Sequence, residues 1–243
     1  QFVMGRTIEE ALDRAAPEEI RGFRYSFDML GEAARTADDA ARYAERYRTA
    51  IAAIGARVKG RDLHHAPGIS VKLSALHPRY EEAQRDRVLR DLSPILLALS
   101  AQAKHVGIGF TIDAEEADRL DLSLDLIEGL AGAPELAGWN GLGLAIQAYQ
   151  KHALPLIDWL AALARRHHRR LMLRLVKGAY WDSEIKRTQE RGLDQFPVYT
   201  RKLATDVSYL ACARRIWAAR DAFFPQFATH NAHTVDAILE LAG

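Results

Sequence analysis

Charged side chains occupy the middle and the end of an apolar stretch that has the length of one buried strand. Arg174 and Lys177 lie in the stretch 171–177, whose other members are leucine, methionine and valine. A strand this apolar is typical of a parallel sheet that is covered on both faces. An isolated buried ion is costly, so each charge must be paired or must bind a ligand. Since Gly178, two aromatic residues and Asp182 follow, the exit of this strand is a candidate ligand site.

Polar side chains also stand near the ends of other predicted strands. Successive side chains of a strand point to opposite faces, so the parity of their positions tells which of them share a face. The face opposite to the apolar one carries, strand by strand, Ser70, Lys72 and Ser74; Thr111 and Asp113; Gly143, Ala145 and Gln147; Met172, Arg174 and Val176; and Ala228 and His230. Two cations, one acid, an amide and an imidazole thus converge, which indicates a functional site.

Two chemistries suit these residue types. Arg174 and Lys177 could neutralise an anionic cofactor such as a nucleotide or a flavin. His230, His233 and Asp113 could instead contribute to a metal site, because metal-dependent hydrolases also use barrels. No other histidine stands at a predicted strand end, which disfavours the metal site. A purely structural ion pair of Asp113 with Lys72 or with Arg174 is the alternative to both.

Strands and helices alternate along the whole chain. The predicted strands are 23–30, 68–76, 107–113, 142–147, 171–177 and 226–231, and the predicted helices are 7–15, 33–54, 81–104, a helix through about 130, 154–167, a helix from 183 with Asp182 as its N-cap, 197–220 and a helix from 234. The sequence predicts a turn around Pro17 and Gly22 and a break at Pro94. Strands that are each followed by a helix indicate a parallel α/β architecture.

The polar strand ends favour a (β/α)8 TIM-like barrel over a doubly wound sheet. Active sites of barrels are assembled at strand ends, and the chain lacks the G-x-G-x-x-G fingerprint of dinucleotide-binding sheets. Because only six βα units are recognisable, we expect a barrel truncated after about six units. Residues 1–22 would be an N-terminal helical lead-in, and residues 23–243 the barrel, with its C-terminal strands absent from this chain.

Composition narrows the class of protein. The chain has 243 residues and a formal net charge of +1, which gives no reason to expect contact with nucleic acid. Cys212 is its only cysteine, so no intrachain disulfide can form and a reducing compartment such as the cytoplasm is expected. No apolar span reaches about 18 residues, and no signal peptide is recognisable, so we expect no membrane-spanning helix. Peripheral membrane contact stays open.

Long blocks of the chain resemble the proline dehydrogenase family, most closely the proline dehydrogenase domain of bacterial proline utilisation A. The blocks are FRYSFDMLGEAA (23–34), GISVKLSALHPRY (68–80), IDAEEADRL (112–120), AGWNGLGLAIQAYQK (137–151), LRLVKGAYWD (173–182) and FATHNAHT (227–234). The resemblance implies a distorted (β/α)8 barrel that binds FAD without a Rossmann domain. It implies oxidation of L-proline to Δ1-pyrroline-5-carboxylate, with a quinone as electron acceptor. It further implies a cytoplasmic protein, with peripheral contact at the inner membrane and a fused aldehyde dehydrogenase domain outside this chain as features of family members.

The resemblance also assigns roles. The catalytic residues would be Arg174, which would stabilise the negative charge that reduction creates on the flavin, and Asp113, which would hold the active-site cations in place. Lys72 would bind the carboxylate of proline, Tyr180 would pack near the substrate, and Glu32 would pair with a substrate-binding arginine and gate the site. The residues that would contact FAD are Asp113, Ala114, Gln147, Arg174, Val176, Lys177, Gly178, Ala179, Tyr180, Trp181, Thr200, Thr229, His230 and Asn231.

One part of the family pattern is not found in the chain. The family clamps the carboxylate of proline with two adjacent arginines in an R-R-x-x-E-N helix, and Gly243 precedes the position of that helix. We therefore expect the fragment to lack part of its substrate site and the usual closure of the barrel. A metal-dependent TIM-barrel hydrolase and a non-catalytic barrel fragment are kept as alternatives.

Overall fold

Strands and helices alternate through the computed structural model, which describes residues 3–31, 33–58 and 60–243. The strands are β1 (Ser26–Asp28), β2 (Gly68–Val71), β3 (Gly109–Ile112), β4 (Leu142–Gln147), β5 (Leu171–Val176) and β6 (Phe223–Phe227). The helices are α1 (Ile8–Ile20), α2 (Ala37–Gly55), α3 (Arg85–Val106), α4 (Leu120–Gly132), α5 (Ala153–Arg166), α6 (Trp181–Glu190), α7 (Lys202–Ala218) and α8 (Ala232–Ala242). Short 3-10 helices cover Leu73–Ala75, Glu82–Gln84, Ala117–Arg119 and Pro134–Leu136. The predicted α/β fold class is confirmed.

The strands form one parallel sheet in chain order, from β1 to β6. In a flat sheet, β5 would lie four strand spacings, about 19 Å, from β1. The guanidinium of Arg174 on β5 nevertheless donates a hydrogen bond to the hydroxyl of Ser26 on β1, at 3.3 Å. The sheet must therefore curl until these two strands face each other across its inner face. This curvature is that of the predicted TIM-like barrel.

The two faces of the curled sheet differ in polarity. On the outer face, Ile69, Phe110, Leu144, Leu173 and Phe223 are each 3% exposed or less, because the helices pack against them. Burying one such side chain contributes about 1.5–3 kcal/mol, so the outer face accounts for much of the core. The inner face carries mostly small and polar side chains, with Met172 and Phe224 as large apolar exceptions. Within the described ranges, no helix is both long and apolar enough to span a bilayer.

Two helices run through prolines that were predicted to interrupt them. α1 continues through Pro17 to Ile20, and α3 is continuous across Pro94. A proline in a helix removes the hydrogen bond to the carbonyl four residues earlier. These carbonyls belong to Asp13 and Arg90, which are exposed residues whose carbonyls water can satisfy. The predicted break at Pro94 was therefore wrong. The chain turns at Arg21 and Gly22, so the predicted turn was wrong at Pro17 and correct at Gly22.

The last strand lies earlier in the chain than predicted. β6 covers Phe223–Phe227 rather than 226–231, and it includes Pro225. The amide of Ala228 donates to the carbonyl of Leu175 on β5. Along a parallel strand, the backbone N–H groups of successive residues point alternately toward and away from the neighbouring strand. The nitrogen of Ala228 points toward β5, so that of Pro225, three residues earlier, points away from β5, where no donor is needed. An edge strand accommodates proline for this reason.

Other element bounds also differ from the predicted ones. β1 has three residues instead of the predicted 23–30. β2 ends at Val71, because the chain turns into the 3-10 helix Leu73–Ala75. α6 begins at Trp181, so Asp182 lies in its first turn and does not cap it.

Candidate active site

Four charged side chains from four strands meet at the C-terminal ends of the sheet. Arg174 lies on β5, Asp28 ends β1, and Lys72 and Asp113 directly follow β2 and β3. One oxygen of Asp113 accepts a hydrogen bond from Arg174 Nη1 and the other from Lys72 Nζ, both at 3.1 Å. Lys72 Nζ also contacts both oxygens of Asp28, at 3.0 and 2.9 Å. Two cations and two carboxylates make this cluster formally neutral, and we call it the charge cluster.

Arg174 is held from three sides within the charge cluster. Besides Asp113, its guanidinium contacts the hydroxyls of Ser70 at 2.9 Å and of Ser26 at 3.3 Å. These two hydroxyls lie 3.0 Å apart and hydrogen-bond to each other. A planar fork that is fixed by several partners is pre-organised, so little side-chain entropy remains to be lost when a ligand binds.

A cleft of about 630 Å³ opens over the charge cluster, which lies within the range of about 300–1,000 Å³ for ligand sites. Among the residues predicted for the site, its lining includes Lys72, Asp113, Ala114, Gln147, Arg174, Val176, Lys177, Gly178, Ala179, Tyr180, Thr229, His230 and Asn231. Asp28, Ala145, Lys202 and Ala228 complete the lining. The structure thus brings most of the predicted residues to one place.

Two of the predicted residues that the structure describes, Trp181 and Thr200, are not among those lining the cleft. Trp181 is exposed, and its indole N–H donates to the carbonyl of Tyr199 at 3.0 Å. Thr200, the next residue, is also exposed. Trp181 directly follows Tyr180, which lines the cleft, and contact of Trp181 and Thr200 with a cofactor stays a prediction. Glu32, predicted to gate the site, lies outside the described residues.

The turn after β5 depends on a glycine. Gly178 has φ +135°, and a Cβ at this position would lie 2.5 Å from the ring of Tyr149. The hydroxyl of Tyr149 accepts a hydrogen bond from the amide of Tyr180 at 3.3 Å, which fixes the end of the turn. Burial, followed by the nearby charges of Glu115 and Glu116, raises the pKa of Tyr180. Its phenol is therefore neutral at physiological pH.

Gln147 connects the loops on either side of β4. Its side-chain N–H donates to the carbonyl of Glu115 at 2.9 Å, and its oxygen lies 3.4 Å from the amide of Ala179. The side-chain amide of Gln147 is buried. Its nitrogen and its oxygen contact two different loops. Gln147 is therefore oriented by the protein itself.

Lys177 is held at the rim of the cleft by a carboxylate from α7. Its Nζ lies 2.5 Å from Asp206, which Lys202 also contacts at 2.7 Å. The hydrogen bond from Lys177, followed by that from Lys202, lowers the pKa of Asp206. Two lysines share one carboxylate, so this side of the cleft keeps a positive charge.

The exit of β6, next to that of β5, also lines the cleft. The hydroxyl of Thr229 accepts a hydrogen bond from the amide of Asn231 at 3.1 Å. The side-chain oxygen of Asn231 in turn accepts from the amide of Thr234 at 3.0 Å and caps α8. In the ranges that the structure describes, no three His, Cys, Asp or Glu side chains are placed to hold a metal ion. The metal-dependent hydrolase therefore has no candidate ligand set there.

Sequence reasoning missed three polar residues that orient the predicted ones. Ser26 and Asp28 contact Arg174 and Lys72, and Asp206 contacts Lys177. Ser26 and Asp28 flank a buried phenylalanine, so the parity argument could have found them had it been applied to the first strand. Asp206 lies on a helix, and no periodic signal marks it.

Comparison with known proteins adds a consistent set of relatives. A family model described as proline dehydrogenase matches residues 11–243. Over 243 residues, the chain is 61% identical to the bifunctional protein PutA of Klebsiella aerogenes, covering all of this chain and 18% of that protein. The chain thus spans less than a fifth of that relative.

Two solved structures show how closely the backbone is shared. A proline utilization A (PutA) variant from Bradyrhizobium japonicum is 59% identical and superposes with a TM-score of 0.92, covering 99% of this chain and 24% of its own. PutA from Bdellovibrio bacteriovorus, in a form inactivated by N-propargylglycine, is 27% identical, with a TM-score of 0.93, and covers 99% of this chain and 26% of its own. The fold is therefore kept at much lower sequence identity.

Proposed function

The chain belongs to the proline dehydrogenase family, and on this premise we propose that it forms the FAD- and proline-binding region of an enzyme that oxidises L-proline. The product would be Δ1-pyrroline-5-carboxylate, and a quinone would be the final electron acceptor. The observation that carries the proposal is the formally neutral charge cluster beneath the cleft, built from Lys72, Arg174, Asp28 and Asp113.

The charge cluster suits a zwitterionic substrate. L-Proline carries one carboxylate and one ammonium group at neutral pH, and the cluster presents charges of both signs within one cleft. Lys72 is the cation we assign to the carboxylate of proline, because it borders the cleft between Asp28 and Asp113. Complementary charges give orientation and discrimination more than affinity.

The residues of the cleft also fit a flavin. Ala145, Val176 and Ala228 give part of the lining small apolar side chains, as a flat ring system requires. Arg174 and Lys177 border the same cleft and can compensate negative charge on the ring or on the phosphates. Together with Gln147, Ala179 and the β6 exit, they are the residues that would hold FAD. When bound, FAD accepts the two electrons and the hydrogen that leave the carbon next to the nitrogen of proline.

The protein contributes positioning and electrostatics. The guanidinium of Arg174 is fixed by Asp113, Ser70 and Ser26, so its positive charge needs no reorganisation when negative charge develops beside it. Asp113 sets the spacing between Arg174 and Lys72, since it contacts each at 3.1 Å. The neutral phenol of Tyr180 lies beside them and helps to exclude water from the substrate.

Anaerobic bleaching of a bound flavin tests this proposal. We expect the purified full-length protein to carry the absorbance of an oxidised flavin and to lose it when L-proline is added without oxygen. Protein that binds no FAD under any condition would refute the cofactor assignment. Bound flavin that L-proline does not bleach would favour a non-catalytic barrel, and stoichiometric zinc would favour a metal-dependent hydrolase.

We extend the proposal to the setting of the enzyme. A relative of which this chain covers only 18% is described as bifunctional, so we propose a fused aldehyde dehydrogenase domain outside this chain. We also propose a cytoplasmic protein with peripheral contact at the inner membrane, because quinones reside in the bilayer. NAD-dependent oxidation of the product of proline oxidation tests for the fused domain. Co-flotation of the protein with anionic vesicles tests for the membrane contact.

A further inference from the structure

Glu184 is a buried carboxylate on α6 that caps a helix belonging to another part of the barrel. The residue is 4% exposed, and its Oε1 accepts a hydrogen bond from the amide of Ala117 at 2.6 Å. Ala117 is the first residue of the 3-10 helix that leads into α4. The first amides of a helix lack partners within it, and a carboxylate placed there is stabilising. The contact therefore replaces a local N-cap with a side chain 67 residues away.

Two arginines of α6 form ion pairs with the loop that contains Ala117. Arg187 and Arg191 follow Glu184 at spacings of three and seven residues, which puts all three on one face of the helix. Arg187 lies 3.1 Å from Glu116, and Arg191 lies 3.2 Å from Asp118. These ion pairs are partly exposed, so each one contributes little. The buried contact of Glu184 is the one that fixes the distance between helix and loop.

The two segments that this hydrogen bond joins, α6 and the loop after β3, are each connected to residues of the cleft. The loop that contains Ala117 begins at Asp113, which binds both cations of the charge cluster. The helix that contains Glu184 begins directly after Tyr180, and the amide of Glu184 donates to the carbonyl of Tyr180 at 2.9 Å. A cross-link between Glu184 and Ala117 therefore limits how far Tyr180 can move from Asp113.

We propose that Glu184 is a positioning residue for substrate binding, acting through Ala117 to keep Tyr180 and Asp113 at a fixed separation. This inference rests on the proposed function, because the substrate it concerns is L-proline. Glu184 does not itself border the cleft. Loss of the contact should therefore weaken the binding of L-proline more than it slows electron transfer, since Arg174 and its hydroxyl partners are untouched.

Two substitutions remove the contact from opposite ends. Glu184→Ala removes the acceptor. Ala117→Pro removes the donor at the first position of a helix, where proline is well tolerated and where the preceding residue is already extended (φ −65°, ψ 154°). Glu184→Gln keeps an oxygen that can accept the same hydrogen bond. Glu190→Ala, an exposed carboxylate of the same helix, is the matched control.

Steady-state kinetics of the full-length flavoprotein give the first readout. We expect Glu184→Ala and Ala117→Pro each to raise KM for L-proline about five- to tenfold, the size of a lost cap, with kcat within about twofold. The double variant should be little worse than either single one, because both remove one contact. Glu184→Gln should recover most of the loss, and Glu190→Ala should match the wild type.

Hydrogen exchange at the amide of residue 117 gives a second readout that does not depend on catalysis. Exchange should quicken in Glu184→Ala and stay slow in Glu184→Gln. Unchanged KM in both single variants, even with a lower melting temperature, would overturn the proposal. Equal losses in kcat and flavin content without a change in KM would also overturn it. If the wild type does not oxidise L-proline, the proposed function fails. Unchanged exchange in Glu184→Ala would then overturn the cap as well, whereas quickened exchange would show that the cap exists and that the substrate assignment alone has failed.

Discussion

Replacing Arg174 with methionine should slow the oxidation of L-proline without unfolding the protein. The substitution keeps an unbranched side chain but removes a guanidinium that contacts Asp113 at 3.1 Å, Ser70 at 2.9 Å and Ser26 at 3.3 Å. Asp113 keeps its contact with Lys72 at 3.1 Å, and the two hydroxyls keep each other. Each of the three side chains that Arg174 contacts therefore keeps a hydrogen-bond partner.

The structure allows the two effects to be estimated separately. A hydrogen bond to a charged group contributes about 1.5–3 kcal/mol when it is well buried. The side chain of Arg174 is 21% exposed, and water can replace part of its contacts. We therefore expect the free energy of unfolding to fall by about 1–2 kcal/mol. A pre-organised donor beside developing charge contributes about 10²–10³ in rate, or roughly 3–4 kcal/mol, so the rate should suffer more than the stability.

Stopped-flow mixing with L-proline under anaerobic conditions measures the rate of flavin reduction, and thermal denaturation measures the stability. Arg215→Met is the matched control, because Arg215 is 55% exposed and pairs with Asp158 away from the cleft. It should keep the wild-type rate. Arg174→Lys keeps the positive charge but loses the planar guanidinium. Its rate of flavin reduction should fall between those of Arg174→Met and Arg215→Met. A wild-type rate of reduction in flavin-loaded Arg174→Met would refute the role assigned to this residue.

Three further substitutions test other parts of the site and the fold. Gly178→Ala would place a Cβ 2.5 Å from the ring of Tyr149, at a backbone φ of +135°. The flavin content should therefore drop, and the free energy of unfolding should fall by more than about 1 kcal/mol. Asp206→Asn should loosen Lys177, whose hydrogen bond lowers the pKa of Asp206, and weaken FAD binding roughly three- to tenfold in a fluorescence titration. Burial lowers the pKa of His152 below 6.5, so in acid the unfolded chain binds a proton that the folded chain does not, and stability is lost as the pH falls. In urea titrations, His152→Gln should therefore lose less stability than the wild type between about pH 7 and pH 5.5.

Parity along strands was sufficient to predict most of the charge cluster. Lys72, Asp113 and Arg174 were assigned to one inner face from alternation alone, and they contact one another in the structure. Asp28 is harder to predict because the aromatic-rich stretch 23–30 resembles one long strand, whereas β1 has only three residues. The signal was present, since a buried phenylalanine between two polar residues is itself an alternating pattern.

Strand and helix ends were harder to predict because they depend on partners that are distant in sequence. Whether Pro225 can belong to a strand is decided by which side of that strand pairs with β5. Whether Pro17 or Pro94 ends a helix is decided by the exposure of a carbonyl one turn earlier. Local propensity contains neither piece of information, so these errors follow from the tertiary structure.

Each cation of the cleft that we assign to a ligand has a carboxylate partner from another strand or helix. Arg174 pairs with Asp113, Lys177 pairs with Asp206, and Lys72 pairs with Asp113 and with a second carboxylate on β1. Such pairing fixes the cations in space. Within the formally neutral charge cluster, it also offsets the attraction of Lys72 and Arg174 for a simple anion. A zwitterion can satisfy a cation and a carboxylate together, whereas a carboxylic acid without an amine leaves the carboxylates of the cluster uncompensated. Under the proposed function, we therefore expect the site to prefer an amino acid over a plain carboxylate of the same shape, through its acids as much as through its bases.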